Sequence, residues 1–365
     1  MKKTIRLVAL AATALLGAAT LTGCGDDNDN GGGDAGGGFP ADALIGVSLP
    51  QQTSENWVLA ERLFENGLRD AGFSYVVQFA NDGVTEQQNQ IDAMIERGAR
   101  VIVIGAIDGA QLGPQLERAH SEGILIIAYD RNLTATTNVD LYVAFDNFQV
   151  GVYQGTALLQ GLEELKGSAP WNIELIAGSA DDANALPFFN GAMSVLQPAI
   201  DAGDLVVVSG QTEFGQVSTD GWLAANAQNR MDTIIAGFYD DGTPLDGILS
   251  PNDTLGRAAL TAAASAGLPN PVVTGQDAEV ESVRLVFEGV QFQTIYKDTR
   301  ALVTETIRQI NLAQGGNAFA TNDVVPNGEI DVPTFFLPPI SVTQTNACAA
   351  FEGDPILEGV WSDFC

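Results

Sequence analysis

The sequence predicts an α/β protein built from two parallel sheets in tandem, and three observations carry that expectation. At 365 residues the chain is longer than one compact core accommodates. Short apolar runs recur along it, each followed by a stretch with helical periodicity. The alternation pauses once near residues 132–140 and then restarts, which is the pattern of two lobes joined by short crossings.

Residues 43–49 form the first strand. Ser54 is placed to cap a helix in which Ala60, Leu63, Phe64, Gly67, Leu68 and Ala71 recur at i, i+3, i+4 and i+7. A strand at 75–79, a helix at 86–97 with Ile91, Met94 and Ile95 inward, a fully apolar strand at 101–107 and a helix at 109–122 follow. They lead into Ile124-Leu125-Ile126-Ile127-Ala128-Tyr129, apolar at every position, which ends abruptly in Asp130-Arg131. A strand without polar alternation is buried on both faces, as in a parallel sheet. After the pause come strand 142–145, helix 148–162, strand 173–177, helix 186–202 and strand 205–208. The second half continues with helix 222–238, strand 247–250, helix 254–266, strand 272–274, helix 280–287, strand 292–296 and helix 299–312. Pro333, Pro338 and Pro339 mark 332–337 as an edge or crossover segment.

The N-terminus is of another kind. Lys2, Lys3 and Arg6 precede an apolar run over 7–19, then Leu21-Thr22-Gly23-Cys24, the layout of a secretory signal over residues 1–23. The run is too short to span a bilayer. Leu-Thr-Gly-Cys resembles a bacterial lipobox, which implies that Cys24 becomes the lipidated first residue of an exported, membrane-anchored protein. Residues 24–41, rich in glycine, aspartate and asparagine, have nothing to bury and are expected to form a flexible tether. Their acids lack the spacing of a calcium loop, and neither metal nor cofactor is expected.

Charged residues make up 17% and hydrophobic residues 45%, as in a soluble globular protein. Loss of the three basic residues of the leader takes the formal net charge from -30 to -33. Such acidity argues against nucleic acid and against adsorption on anionic lipid headgroups. Cys348 and Cys365 lie close together in an exported chain and are expected to form a disulfide, worth about 3 kcal/mol through the loop it closes. His120, the single histidine, falls near a helix end and is expected in solvent.

In open α/β sheets ligands sit beyond the carboxyl ends of strands. Polar residues gather there: Asp108, Asp130 and Arg131, Asp146 and Asn147, Asp181, Asp182 and Asn184, Asn252 and Asp253, Gln276 and Asp277, Lys297, with Trp57 and Trp222 at helix starts on the same side. Each alone reads first as a helix cap or turn former. Together, amide, carboxylate, guanidinium and ammonium groups with two indoles are what a pyranose requires, namely donors and acceptors for vicinal hydroxyls and an aromatic face for its C–H patch.

The phrases Ala128-Tyr129-Asp130-Arg131, Phe145-Asp146-Asn147, 178–185 (GSADDANA), Asn190-Gly191-Ala192-Met193, Asp220-Gly221-Trp222, Ser250-Pro251-Asn252-Asp253, Thr274-Gly275-Gln276-Asp277-Ala278 and Tyr296-Lys297, in this order, carry a resemblance over about 44–342. The chain resembles the periplasmic sugar-binding proteins of ABC transporters, and within them most resembles the xylose-binding and multiple-monosaccharide-binding proteins. The resemblance implies two Rossmann-like lobes of the type I periplasmic-binding-protein fold, one of 42–144 with 297–333 and one of 145–296 with 334–365. Their three crossings are expected near 144–145, 296–297 and 332–335. It implies sugar contacts from Trp57, Asp130, Arg131, Asp182, Asn184, Trp222, Asn252, Asp277 and Lys297. Phe188 would lie in the pocket wall, with Asp108 and Asp146 as rim or hinge support. Asn56 stands where close relatives have an arginine, a departure that bears on which sugar is bound. The implied protein is a monomer that binds a monosaccharide, closes by hinge motion and docks on an ABC permease.

Three other readings compete. A glycoside hydrolase would use Asp181, Asp182 and Asp277 as its carboxylates, but the chain has no nucleophile elbow or zinc-binding helix, and a binding protein is expected instead of an enzyme. A transcriptional regulator would need a basic helix-turn-helix at the N-terminus. A tethered sugar sensor, passing its closed form to a chemotaxis or two-component receptor, uses the same pocket and stays open.

Overall fold

The structure, a computed structural model, describes residues 38–52 and 54–365. The expected leader, Cys24 and the tether up to residue 37 lie outside that range. The first half alternates as β1 (Leu44–Leu49), α1 (Glu55–Asp70), β2 (Ser74–Phe79), α2 (Val84–Glu96), β3 (Val101–Ile104), α3 (Gly113–Ser121), β4 (Leu125–Tyr129) and β5 (Leu141–Phe145). The second half runs α4 (Asn147–Lys166), β6 (Trp171–Leu175), α5 (Ala185–Ala202), β7 (Leu205–Val207), a single turn α6 (Phe214–Val217), α7 (Ala224–Phe238), β8 (Gly247–Leu249), α8 (Asp253–Ser265), β9 (Val272–Val273), α9 (Val280–Phe287) and β10 (Gln293–Tyr296). The chain ends with α10 (Thr299–Gln314), β11 (Asp323–Pro326), β12 (Asp331–Leu337), β13 (Ile340–Thr343), α11 (Ala347–Ala350) and α12 (Glu358–Phe364).

The first sheet has seven strands in the order β11-β12-β5-β4-β3-β1-β2, parallel except for the β11–β12 pair. Val101 and Val103 enter one core with α1 and α10, while Ile102 and Ile104 enter the other with α2 and α3. That period of two, apolar on both sides, is why β3 carries no polar residue. The second sheet is the parallel set β7-β6-β8-β9, and β10 pairs antiparallel with β13 beside it. On one flank of this sheet α4 and α5 pack backbone to backbone. A Cβ on Gly151 would stand 2.0 Å from the carbonyl oxygen of Phe188, so glycine there permits the approach that holds Phe188 in place.

The chain leaves the first sheet after Phe145, returns to its layer between Tyr296 and Thr299, and leaves again after Leu337. The last crossing therefore falls at Pro338-Pro339, later than the expected 332–335. Thr334–Leu337 pair in register with Tyr142–Phe145, so they and Phe145 belong to the first sheet and not to the second lobe. The tether drawn to residue 41 is also too long at its end. Phe39 is buried, with its ring 6.3 Å from that of Phe73, because an aromatic in a glycine-rich stretch still gains by burying its face. Helix 222–238 begins at Ala224, Trp222 being part of a tight turn over Asp220–Trp222. Cys348 and Cys365 are bonded, with Cα atoms 5.7 Å apart, and His120 is exposed at the end of α3.

Candidate functional site

A small cavity opens where the carboxyl ends of strands from both sheets meet. Ser54, Asn56 and Trp57 reach it from the start of α1, and Asp130 and Arg131 from the end of β4. Across from them stand Asp182, Asn184 and Phe188 at the start of α5, Trp222, Asn252 beyond β8, Gln276 and Asp277 beyond β9, and Lys297 beyond β10. The nine residues expected as ligands are thus brought together, with Asn56 and Phe188 beside them.

Asp108 and Asp146 do not line the cavity. Asp146 caps α4 by accepting a hydrogen bond from the Gln149 amide at 3.0 Å, and Asp108 closes a turn by accepting one from the Ala110 amide at 2.9 Å. Ser54, expected as a helix cap, and Gln276, one of the strand-end polar residues, also line it although neither was among the expected sugar contacts. Ser54 stands at the cap position of α1, yet its hydroxyl donates to Asn56 Oδ1 instead of accepting from the helix. Gln276 is buried and, among the described residues, its Oε1 has no partner; in the sequence it stood beside Asp277 at a strand end.

Three lining residues other than glycine have left-handed backbone: Asp130 at φ 60°, Trp222 at φ 55° and Asp277 at φ 94°. Such conformations cost about 1–3 kcal/mol each and persist only where the surroundings hold them. The amides of Asp130 and Asp277 are held at 2.9 Å by the carbonyls of Val143 and Ile295. Trp222 lies against the backbone of Gly178, where a Cβ would meet the indole at 2.2 Å.

Buried ion pairs centred on two cations, Arg131 and Lys297, organise the walls. Arg131 Nε lies 2.9 Å from Asp182 Oδ2, its Nη1 donates to the Ala106 carbonyl at 3.0 Å, and its guanidinium covers the Trp57 ring at 5.3 Å. Trp222 Nε1 donates to the same Asp182 oxygen at 3.1 Å. Lys297 Nζ lies 3.2 Å from Asp277 Oδ1 and 3.8 Å from Asp130 Oδ1. The lobes are also tied by Asn184 Nδ2, which donates to the Asp130 carbonyl at 2.9 Å, where the Tyr142 hydroxyl donates as well at 2.8 Å. Burial works against the Lys297 ammonium, but Asp130 and Asp277 outweigh it and hold its pKa above the ordinary lysine range. Burial pushes the Asp182 carboxyl up, and Arg131 pulls it back.

Asn252 shows how the ordinary and the functional reading coexist. Its Oδ1 caps α8 by accepting from the Leu255 amide at 3.0 Å, which leaves the NH₂ end of the same side chain for the cavity. Asp181 is exposed, while Asp182 and Asp277 are each committed to a cation, so the carboxylates form no acid/base pair of the hydrolase kind. What the walls offer is a dense set of donors and acceptors with two indoles, suited to a small polyhydroxylated ring.

The sequence matches the periplasmic binding protein domain family over residues 45–318. It is 40% identical to the multiple sugar-binding periplasmic receptor ChvE of Rhizobium radiobacter over 316 residues, 84% of this chain and 89% of that one. It is 32% identical to the D-xylose-binding periplasmic protein of Escherichia coli over 304 residues, 83% of this chain and 87% of that one. Among solved structures, an ABC transporter solute binding protein from Clostridium phytofermentans with bound β-D-glucose aligns with a TM-score of 0.82 at 36% identity, covering 86% of this chain and 98% of that one. Two α/β lobes, a polar cavity between them and sequence identity along most of the chain agree: this protein belongs to the sugar-binding branch of the periplasmic binding proteins, which are extracytoplasmic binding proteins and not enzymes.

Proposed function

We propose that the protein is a membrane-tethered solute-binding lipoprotein that takes a neutral aldose, of the xylose, glucose or galactose class, into the interlobe cavity and delivers it as a monomer to an ABC importer. The observation that carries this reading is the convergence of Trp57, Asp130, Arg131, Asp182, Asn184, Trp222, Asn252, Asp277 and Lys297 on one cavity. Relatives named for several sugars, for D-xylose and for bound β-D-glucose support the ligand class. Sugar would settle on the shelf of Trp57, Asp130 and Arg131, and the second lobe would close over it. The Arg131–Asp182 pair and the Asn184 bond to Asp130 already span the lobes in the arrangement described above, and contacts that sugar makes only in that arrangement would shift the population toward it. Three carboxylates against two cations disfavour uronates and sugar phosphates.

A thermal-shift screen of aldopentoses and aldohexoses on residues 38–365 tests the reading. A cognate sugar at a hundred times its Kd stabilises by about 2.7 kcal/mol and raises Tm by several degrees; stabilisation by uronates alone would overturn it. Lipidation of Cys24 is tested separately. Cys24→Ser is expected to move the protein from the membrane fraction to the soluble one, and retention on membranes would reject the anchor.

One relative is named a receptor, which favours a second reading as a tethered sensor serving a chemotaxis or two-component partner. Deleting the neighbouring permease separates the two: importer function predicts loss of sugar uptake, and sensor function predicts that signalling survives.

A further inference from the structure

We infer that Asp253, whose side chain lines no part of the cavity, is a positioning residue that holds the segment carrying Asp277 in its ligand-facing conformation. The inference deepens the sugar-binding reading above and rests on it for its affinity measurements.

Asp253 is fully buried at the start of α8. Its Oδ2 accepts from the Glu279 amide at 2.9 Å and from the Thr294 hydroxyl at 3.0 Å, and its Oδ1 accepts from Gln291 Nε2 at 2.8 Å. Its own amide donates to the Gln276 carbonyl at 3.0 Å. Thr294 Oγ1 in turn accepts from the Ala278 amide at 3.3 Å. Bonds on both sides of Asp277 therefore end on Asp253 or on a hydroxyl bound to it. The carboxylate also fills the space over Gly275, where a Cβ would stand 2.0 Å from Oδ1.

This network surrounds two consecutive residues in left-handed backbone, Asp277 at φ 94° and Ala278 at φ 50°. Neither is glycine, and such backbone relaxes unless several bonds over-determine it. Among the described residues no lysine or arginine forms an ion pair with Asp253. Burial, and then Glu279, push its carboxyl well above the usual range. A buried carboxyl group without a cation is a costly way to fill space; here it supplies the acceptors that a strained segment needs.

The test uses Asp253→Ala and Thr294→Val, each in the wild-type and in the Asp277→Asn background, with Kd for D-glucose and D-xylose measured by calorimetry. Asp253→Ala is expected to weaken binding roughly 10–100-fold and Thr294→Val roughly 3–10-fold in the wild type. In the Asp277→Asn background the same changes should cost less than about 3-fold, because the group they orient is already impaired. Equal losses in both backgrounds, or unchanged affinity, would overturn the inference. Thr294→Val, which exchanges a hydroxyl for a methyl group at nearly constant volume, decides the matter if Asp253→Ala fails to fold. Hydrogen exchange supplies a readout independent of sugar, since amides 276–279 should exchange faster in both variants while those of β6 and β8 do not change. If the wild type binds neither of these sugars nor D-galactose, the functional reading fails, and unchanged exchange at 276–279 would still overturn the positioning role on its own.

Discussion

Asp277→Ala weakens sugar binding by roughly 2–4 kcal/mol, on the order of thirty- to a thousand-fold in Kd. The substitution removes a buried acceptor aimed into the cavity and also the nearer partner of Lys297, at 3.2 Å. What remains for that ammonium is Asp130 at 3.8 Å. Because a buried cation that loses a partner stays expensive, the loss exceeds that of one neutral hydrogen bond. Calorimetry with the best sugar of the thermal-shift screen measures it. An affinity within a factor of two of the wild type would remove Asp277 from the site.

Arg131→Ala is expected to cost a similar amount, about 2–4 kcal/mol, by a different route. Its guanidinium bridges the lobes to Asp182, binds the Ala106 carbonyl and covers Trp57 at once. With it gone, the Asp182 carboxylate keeps only the Trp222 indole and its local amide bond to Asn184. The closed form then loses a buried cross-lobe ion pair, and sugar compacts the variant less in small-angle scattering. Arg131→Lys does not restore binding, since a point-charge ammonium lacks the planar fork that serves three partners. Full rescue by lysine, or wild-type compaction in Arg131→Ala, would show that the pair is peripheral to closure.

Legibility in the sequence followed local pattern. The strand before Asp130 was readable because burial on both faces leaves an apolar residue at every position. β13 and the terminal helices were not, being too short to show a period. Asp108 and Asp146 follow strands just as Asp130 does, and sequence offered little to separate them. The difference is geometric: Asp108 and Asp146 turn back to cap their own backbone, whereas left-handed backbone at Asp130 directs its side chain toward the cavity. Lys297, alone after a strand, carried only the signal of its strand-end position until the family resemblance gave it a role. Gln276 stood in the strand-end set without a contact of its own assigned, and Ser54 looked like an ordinary cap residue yet occupies a cap position whose bond it does not make.

By itself the sequence determined the alternation of strands and helices, the export signal as an expectation and the residue types able to bind hydroxyls, because each depends on neighbours a few positions away. Tertiary structure alone decided which of those polar residues share a cavity, which carboxylate meets which cation, and where the third crossing falls. These depend on groups as far apart as Trp57 and Lys297 meeting at one place, and on which end of a bifunctional side chain, such as Asn252, is left over after the backbone has used the other. No local period encodes either, since both follow from how the packed sheets bring strand ends together.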